Sequence, residues 1–280
     1  GLSNTYDLPV PSVSRGLIPD KDWKKTNYNQ RWLLGDTLNA GIGQGYILTT
    51  PLQVAVMTAR IASGKSITPR LINAKGGKII TSKKPTALKF KDTTLTKIRN
   101  GMNATVNDID GTAYKSRIIG SNFQFAGKTG TAQVRRITET EREAGVTKNE
   151  DLPWNKRDHA LFTGYAPIHK PKYAISVIVE HGGGGSSVAA PIARDIMLYA
   201  LYKKIPAISA YPEEQHSEIQ LRLDSLKRTQ TENNNKENHR KIQEHLINSS
   251  AKKKRLVAFQ WPDLEATHRI PSCTGPLWNP

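Results

Sequence analysis

The stretch Phe125-Ala126-Gly127-Lys128-Thr129-Gly130-Thr131-Ala132-Gln133-Val134 limits what the chain can fold into more than any other part of it. It is short, apolar and β-prone, yet it carries a cation, two hydroxyls and two glycines where a quiet strand would carry none. Lys128 offers a fixed positive charge, and Thr129 and Thr131 offer hydroxyls. Gly127 and Gly130 leave out side chains that would keep a substrate backbone at a distance. The pattern predicts the edge strand of an active site, along which an extended peptide could lie as an added strand. Its plainer alternative is an ordinary strand with an exposed Lys and a bulge glycine.

The 280 residues allow one large domain or two small ones, and 37% apolar content leaves part of the chain outside a core. The net charge of +17 lies almost wholly in residues 1–212. Such a surface suits an anionic partner, but it is equally the mark of a Lys-rich proteome. The basic residues are spread out and not gathered with aromatics into a stacking groove, so nucleic acid is not an expected partner. The single cysteine, Cys273, excludes an internal disulfide and a multi-cysteine metal site. No stretch approaches the roughly 20 apolar residues of a membrane span. No cofactor or metal is expected. The chain opens at Gly1 without a Met, and it is expected to be a piece of something longer.

Residues 1–35, rich in Pro, Ser, Asn and Lys, predict an irregular segment pinned to a neighbour by its aromatics. Gly41-Ile42-Gly43-Gln44-Gly45 lacks the spacing of a dinucleotide fingerprint and predicts a tight turn. Thr50-Pro51-Leu52-Gln53 is a capping box with Pro at the first helical position, opening a buried helix that stops at Gly64. Ala59 to Ser66 is a loosened phosphate-loop pattern without its first glycine, and a helix stands where the preceding strand should be.

A hairpin turning at Gly76-Gly77 is expected within 67–91. A helix capped by Asp92 follows, with Leu95, Ile98, Met102 and Val106 on one face. The charged, aperiodic stretch from Arg135 to Lys156 predicts a long loop. His159 to Ala166 and Tyr173 to Glu180 predict two strands forming a meander with the Lys128 strand. His181 and the following glycines imitate an esterase oxyanion loop, but no Gly-x-Ser-x-Gly elbow exists, so they predict a flexible link into a helix. That helix, over 188–202, should pack Ile192, Ile196, Tyr199 and Ala200 on the sheet. From about Glu213 low hydrophobicity predicts disorder or a loose helix, and Lys252-Lys253-Lys254-Arg255 a solvated basic run.

Several segments in fixed order resemble the C-terminal part of the transpeptidase domain of class B penicillin-binding proteins, most nearly the elongation type called penicillin-binding protein 2. They are Gly16-Leu17-Ile18-Pro19-Asp20 with Trp23-Lys24-Lys25, Gly35-Asp36-Thr37, Gly41 to Tyr46, Thr50 to Gln53, Gly111-Thr112-Ala113, Ala126 to Val134, and Arg157-Asp158-His159. The resemblance covers residues 1–210 and leaves 211–280 as a polar tail. It implies an α/β fold of the serine β-lactamase and transpeptidase kind, a partial copy with an antiparallel sheet from Phe125 to Glu180 and flanking helices at 50–63, 92–106 and 188–202.

The resemblance further implies a peptidoglycan D,D-transpeptidase that joins stem peptides through a serine acyl-enzyme and is acylated by β-lactams. In that family an S-x-x-K serine attacks, an S-x-N motif relays protons, and a K-[ST]-G strand completes the site. The third motif falls on Lys128, Thr129 and Gly130. Lys128 would polarise the middle-motif serine and hold substrate, and Thr129 would bond the terminal carboxylate of D-Ala-D-Ala. Gly130 would leave room for close approach, and the Thr131 N–H would serve the oxyanion hole. Expected partners are the stem peptide, β-lactams and, by resemblance, a membrane glycan polymerase with the elongation machinery. The implied location is the inner membrane with a periplasmic catalytic domain.

One departure bears on activity. S-x-x-K occurs only at Ser249 to Lys252 and Ser250 to Lys253, behind the third motif, and S-x-N does not occur. The chain alone is therefore expected neither to turn over nor to bind penicillin covalently. The rivals are a serine esterase of the α/β-hydrolase type, resting on His181 and its glycines, and a basic nucleic-acid-binding protein, resting on charge.

Overall fold

The computed structural model describes residues 1–80, 84–120, 122–135 and 137–257, and side chains as far as residue 244. It divides into two units, Gly1–Leu223 and Asp224–Pro280. The elements in chain order are α1 (Lys21–Tyr28), α2 (Leu34–Gly41), α3 (Pro51–Ser63), β1 (Ala74–Lys75), β2 (Lys78–Ile79), α4 (Asp92–Asn107), β3 (Ala126–Ala132), α5 (Glu139–Ala144), β4 (His159–Ala166), β5 (Tyr173–Val179), α6 (Ala190–Tyr202) and α7 (His216–Val257).

β3, which carries Lys128 to Thr131, sits at one side of an antiparallel sheet ordered β3-β4-β5. Side chains alternate across a strand, so β4 feeds two layers. Ala160 and Phe162 face a core with Phe125, Ala193, Met197 and Leu198, supplied largely by α6. Thr163 and Tyr165 face α3, where Ala62 joins Met102 and Ala126. The Thr163 hydroxyl lies 2.6 Å from that of Thr58 on α3. Burial on both faces explains the near-continuous apolar run of β4.

The expected capping box is present: the Thr50 hydroxyl accepts from the Gln53 N–H at 3.2 Å, and Gln53 Oε1 accepts from the Thr50 N–H at 3.1 Å. Gly64 closes α3 with a φ of 69°. The hairpin turns at Gly76-Gly77, with β strands of only two residues each. Residues 81–83 of that expected segment lie outside the described residues.

Residues 1–35 are not wholly irregular: α1 lies within them and α2 begins at Leu34, both eight residues long and set up by local caps too short for periodicity to register. The Asp20 carboxylate accepts from the Trp23 N–H at 2.7 Å. Asp36 accepts from the Leu33 N–H at 2.7 Å and forms a 2.5 Å ion pair with the buried Lys24. That pair and the mutually packed rings of Trp23, Tyr28 and Tyr46 hold the segment together.

Three expectations about helix faces and ends need correction. Asp92 is the first residue of α4, not its cap; Lys91 holds that position without a side-chain bond. Ile98 is 41% exposed while Leu95, Met102 and Val106 are buried. On α6 the predicted Ile192, Ile196 and Tyr199 stripe faces outward, and Ala190, Ala193, Arg194, Met197 and Leu198 are the buried positions. The small residues let α6 and the π-helical turn before it, Gly185–Ala189, come close to β4.

The glycines after His181 are also not a loose link. A Cβ on Gly185 would stand 2.3 Å from the Gly130 carbonyl oxygen and 2.4 Å from that of Leu161. Gly127 likewise serves the interior, since a Cβ there would meet Phe162 Cζ at 2.2 Å.

The first unit extends past residue 210. Tyr211, Ile219 and Leu223 are buried in the α6 core. Arg194, 1% exposed, bonds Asp195 and Gln215 and lies over the Tyr211 ring, whose phenol burial pushes up to about 12. In the second unit α7 is polar, with exposed ion pairs such as Glu237–Lys241 and Arg240–Glu244. The Lys252 to Arg255 run lies within that helix, beyond the described side chains. Cys273 and Trp261 to Pro280 fall outside the described residues. No helix among the described residues is long and apolar enough to cross a membrane.

Two outcomes follow from this packing. Gly127→Ala should lower the unfolding free energy in urea by about 1–3 kcal/mol. Gly130→Ala should cost less, because a Cβ there meets only Leu161 Cβ at 3.4 Å; equal losses would refute the Phe162 contact as the cause. Leu34, Leu38 and Ile42 form an outward stripe, 76%, 65% and 72% exposed. Changing all three to Lys or Gln should leave stability within about 0.5 kcal/mol per site and reduce self-association in sedimentation. Unfolding of that variant would place the stripe in the chain's own core.

Candidate active-site wall

Register sets which way each candidate residue faces. Lys128 pairs across from Thr163, Thr129 from Phe162, Gly130 from Leu161 and Thr131 from Ala160. Lys128 and Thr131 are exposed, and Thr129 and Gly130 are half-buried. The Lys128 ammonium donates to the Thr129 carbonyl at 2.9 Å and reaches the Thr129 hydroxyl at 3.5 Å. No carboxylate of the described residues pairs with Lys128, so its charge is available to an anion.

The opening of β3 is covered by α4, whose Asn107 side chain donates to the Phe125 carbonyl at 3.0 Å. Beyond it, no described strand pairs with the outer edge of β3. The structure adds one hydroxyl to the predicted set: Thr112 Oγ1 stands 2.8 Å from Thr129 Oγ1. Sequence spacing carries no signal for that contact, because 17 residues and a turn separate the two.

Behind the strand, Arg157-Asp158-His159 ties the loops together. The Asp158 carboxylate accepts from the Val134 N–H and the Asn149 side chain, its N–H donates to Asn149 Oδ1, and its carbonyl accepts from the Gly183 N–H. His159 Nδ1 accepts from the His181 N–H at 2.9 Å. His181 Nδ1 in turn donates to the Arg157 carbonyl, and its ring packs on Trp154 and His159. His181 and its glycines therefore brace the sheet end and are not arranged as an esterase's open oxyanion loop. In the long loop α5 forms, clamped where Arg135 bonds both Glu141 oxygens at 2.6 and 2.5 Å. No cluster of three or more metal-ligating side chains occurs among the described residues.

An exposed Lys-Thr-Gly-Thr strand thus stands at the open side of an antiparallel sheet with helices packed on both faces. Residues 1–198 match the family described as the penicillin binding protein transpeptidase domain, and the chain belongs to it. It is 38% identical over 218 residues to the peptidoglycan D,D-transpeptidase MrdA of Haemophilus influenzae, covering 75% of this chain and 33% of that protein. Among solved structures, it is 37% identical to the penicillin-binding protein PBP2 of Helicobacter pylori in its complex with MreC, at a TM-score of 0.58, covering 72% of this chain and 34% of that one. It is 34% identical to Pseudomonas aeruginosa PBP2 in complex with WCK 5153, again at a TM-score of 0.58, covering 76% and 44%. The chain thus spans about a third of the length of the curated relative.

The clamp on the long loop gives a pH signature. Hydrogen bonding from Arg135, the main cause, holds the Glu141 carboxyl at about 2 against an ordinary 4.5. A depressed acid contributes stability that is complete above pH 4.5 and lost as the pH falls through about 2. The stability difference between the wild type and Glu141→Gln, measured by urea unfolding, should be full at pH 5 and close toward pH 2. A constant difference across that range would refute the ion pair as its source.

Proposed function

We propose that this chain supplies the third-motif wall of a peptidoglycan D,D-transpeptidase that cross-links stem peptides during cell elongation. The observation that carries the proposal is Lys128 and Thr129 together at the uncovered part of the β3 edge, with the cation free of any described carboxylate and the hydroxyl within its reach. A donor-only ammonium beside a hydroxyl is suited to a carboxylate such as the end of D-Ala-D-Ala or of a β-lactam. Membership of the transpeptidase family and the activity named for its relatives support the same assignment.

In the proposed reaction a serine oxygen attacks the penultimate D-Ala carbonyl, terminal D-Ala leaves with a proton, and an acceptor amine then displaces the serine. Lys128 holds the middle-motif serine and the substrate electrostatically, and Thr129 bonds the terminal carboxylate. Gly130 presents bare backbone to the substrate, and the Thr131 N–H stabilises the tetrahedral oxyanion. The serine belongs to a segment other than the described strand and helices of the first unit, where S-x-x-K does not occur. In this proposal residues 1–210 are transpeptidase domain and 211–280 a polar extension whose first residues, Tyr211 to Leu223, pack back on the α6 core.

The partners proposed are the elongation machinery and a glycan polymerase. The MreC complex of the Helicobacter pylori relative supports the first, and a structure described as a peptidoglycan synthase complex coordinating polymerization and crosslinking supports the second. Anchoring in the inner membrane with a periplasmic catalytic domain belongs to the same proposal.

The test begins with the coding DNA upstream of Gly1. An in-frame S-x-x-K followed by S-x-N is the expected outcome, and a closed frame overturns the assignment to a working enzyme. In the protein that includes those motifs, Lys128→Ala should slow acylation by a fluorescent penicillin on the order of a hundredfold or more. The 280-residue chain should take up no covalent label.

A further inference from the structure

Thr112 occupies a position that is built rather than incidental. Gly111 is pressed onto the end of α4, where a Cβ would lie 2.4 Å from the carbonyl oxygens of both Ala104 and Thr105. Its N–H donates to the Asp108 carbonyl at 2.9 Å, and the Ala113 N–H donates to the Thr105 carbonyl at 2.9 Å. Ala113 is 1% exposed. With both neighbours fixed, Thr112 has little backbone freedom, and its exposed side chain is delivered to the Thr129 hydroxyl at 2.8 Å.

Counting protons shows what that contact does. The Thr129 hydroxyl has one proton to give and two lone pairs to receive. Lys128 can only donate, and it approaches from one side at 3.5 Å. If Thr112 also donates, both lone pairs are filled and the Thr129 proton must point elsewhere. The direction left is the uncovered side of β3, toward an incoming anion. If Thr129 donated to Thr112 instead, its proton would be spent and a carboxylate would meet lone pairs. A bound carboxylate therefore favours the first arrangement, and a hydroxyl at residue 112 makes it available.

We infer that Thr112 is a positioning residue for carboxylate recognition: its hydroxyl donates to Thr129 Oγ1 and so aims the Thr129 proton at the terminal carboxylate of the ligand. The inference rests on the proposed carboxylate role of Thr129. It makes selectivity for a carboxylate over a neutral chain end depend on a residue outside the Lys-Thr-Gly strand.

The test uses the 280-residue chain, nitrogen-15 labelled, with the amide signals of Thr129, Gly130 and Thr131 followed during titration. The probes are N-acetyl-D-Ala-D-Ala and its C-terminal amide. The wild type should bind the carboxylate form more tightly. Thr112→Val, which keeps the shape and removes the hydroxyl, should weaken carboxylate binding about tenfold and leave the amide form unchanged. Thr112→Ser should restore the preference. Unchanged carboxylate binding in Thr112→Val overturns the inference, as does an equal loss for both probes, which marks a packing role. Absence of any saturable shift in the wild type overturns the carboxylate role of the strand itself.

Discussion

What leaves β3 on its outer side depends on what presses against it from within. The Phe162 ring occupies the space that a side chain on Gly127 would fill, and the backbone of Gly185 rests on the carbonyls of Gly130 and Leu161. Close-packed interiors transmit small displacements, so these two contacts set the line of the β3 backbone, from which Lys128 projects on one face and Thr129 and Thr131 on the other. Glycine is needed at 127 and 185 for packing. At Gly130 a Cβ would reach only Leu161 at 3.4 Å, which leaves its proposed service to a substrate as a separate matter.

The loops at the far end of the strand are held by one short segment. Asp158 bonds Val134 just past β3, Asn149 in the long loop and Gly183 in the glycine run. His159 and His181 link the same glycine run back to Arg157. A carboxylate accepting from backbone and side-chain donors fixes position more firmly than an exposed ion pair does. The contrast with Arg135–Glu141 is one of reach. Asp158 connects three stretches of chain, whereas the Glu141 clamp closes a single loop on itself.

Legibility in the sequence followed the range of the interactions. The α3 start was readable because both partners of its capping box lie within three residues. The order of strands β3 to β5 was readable from runs of β-prone residues separated by turn signals. The α6 face was misjudged because two helical stripes of suitable spacing compete there, and the smaller one won by allowing closer approach to β4. The burial of Tyr211, Ile219 and Leu223 was hidden because their partners, Arg194 and the α6 core, come from an element whose position only the fold defines. In the site, Lys128 to Thr131 stood out by chemical type; Thr112 stood in one of the segments carrying the family resemblance, but nothing in the sequence marked Thr129 as its partner.

The same distances mean different things in water and in a closed cleft. Lys128 is exposed here, and at 4 Å in bulk water a unit charge attracts a carboxylate by only about 1 kcal/mol. At an effective dielectric near 20 the same pair is worth about 4 kcal/mol. Excluding water from around Lys128 would therefore strengthen its attraction for a carboxylate severalfold without moving any atom.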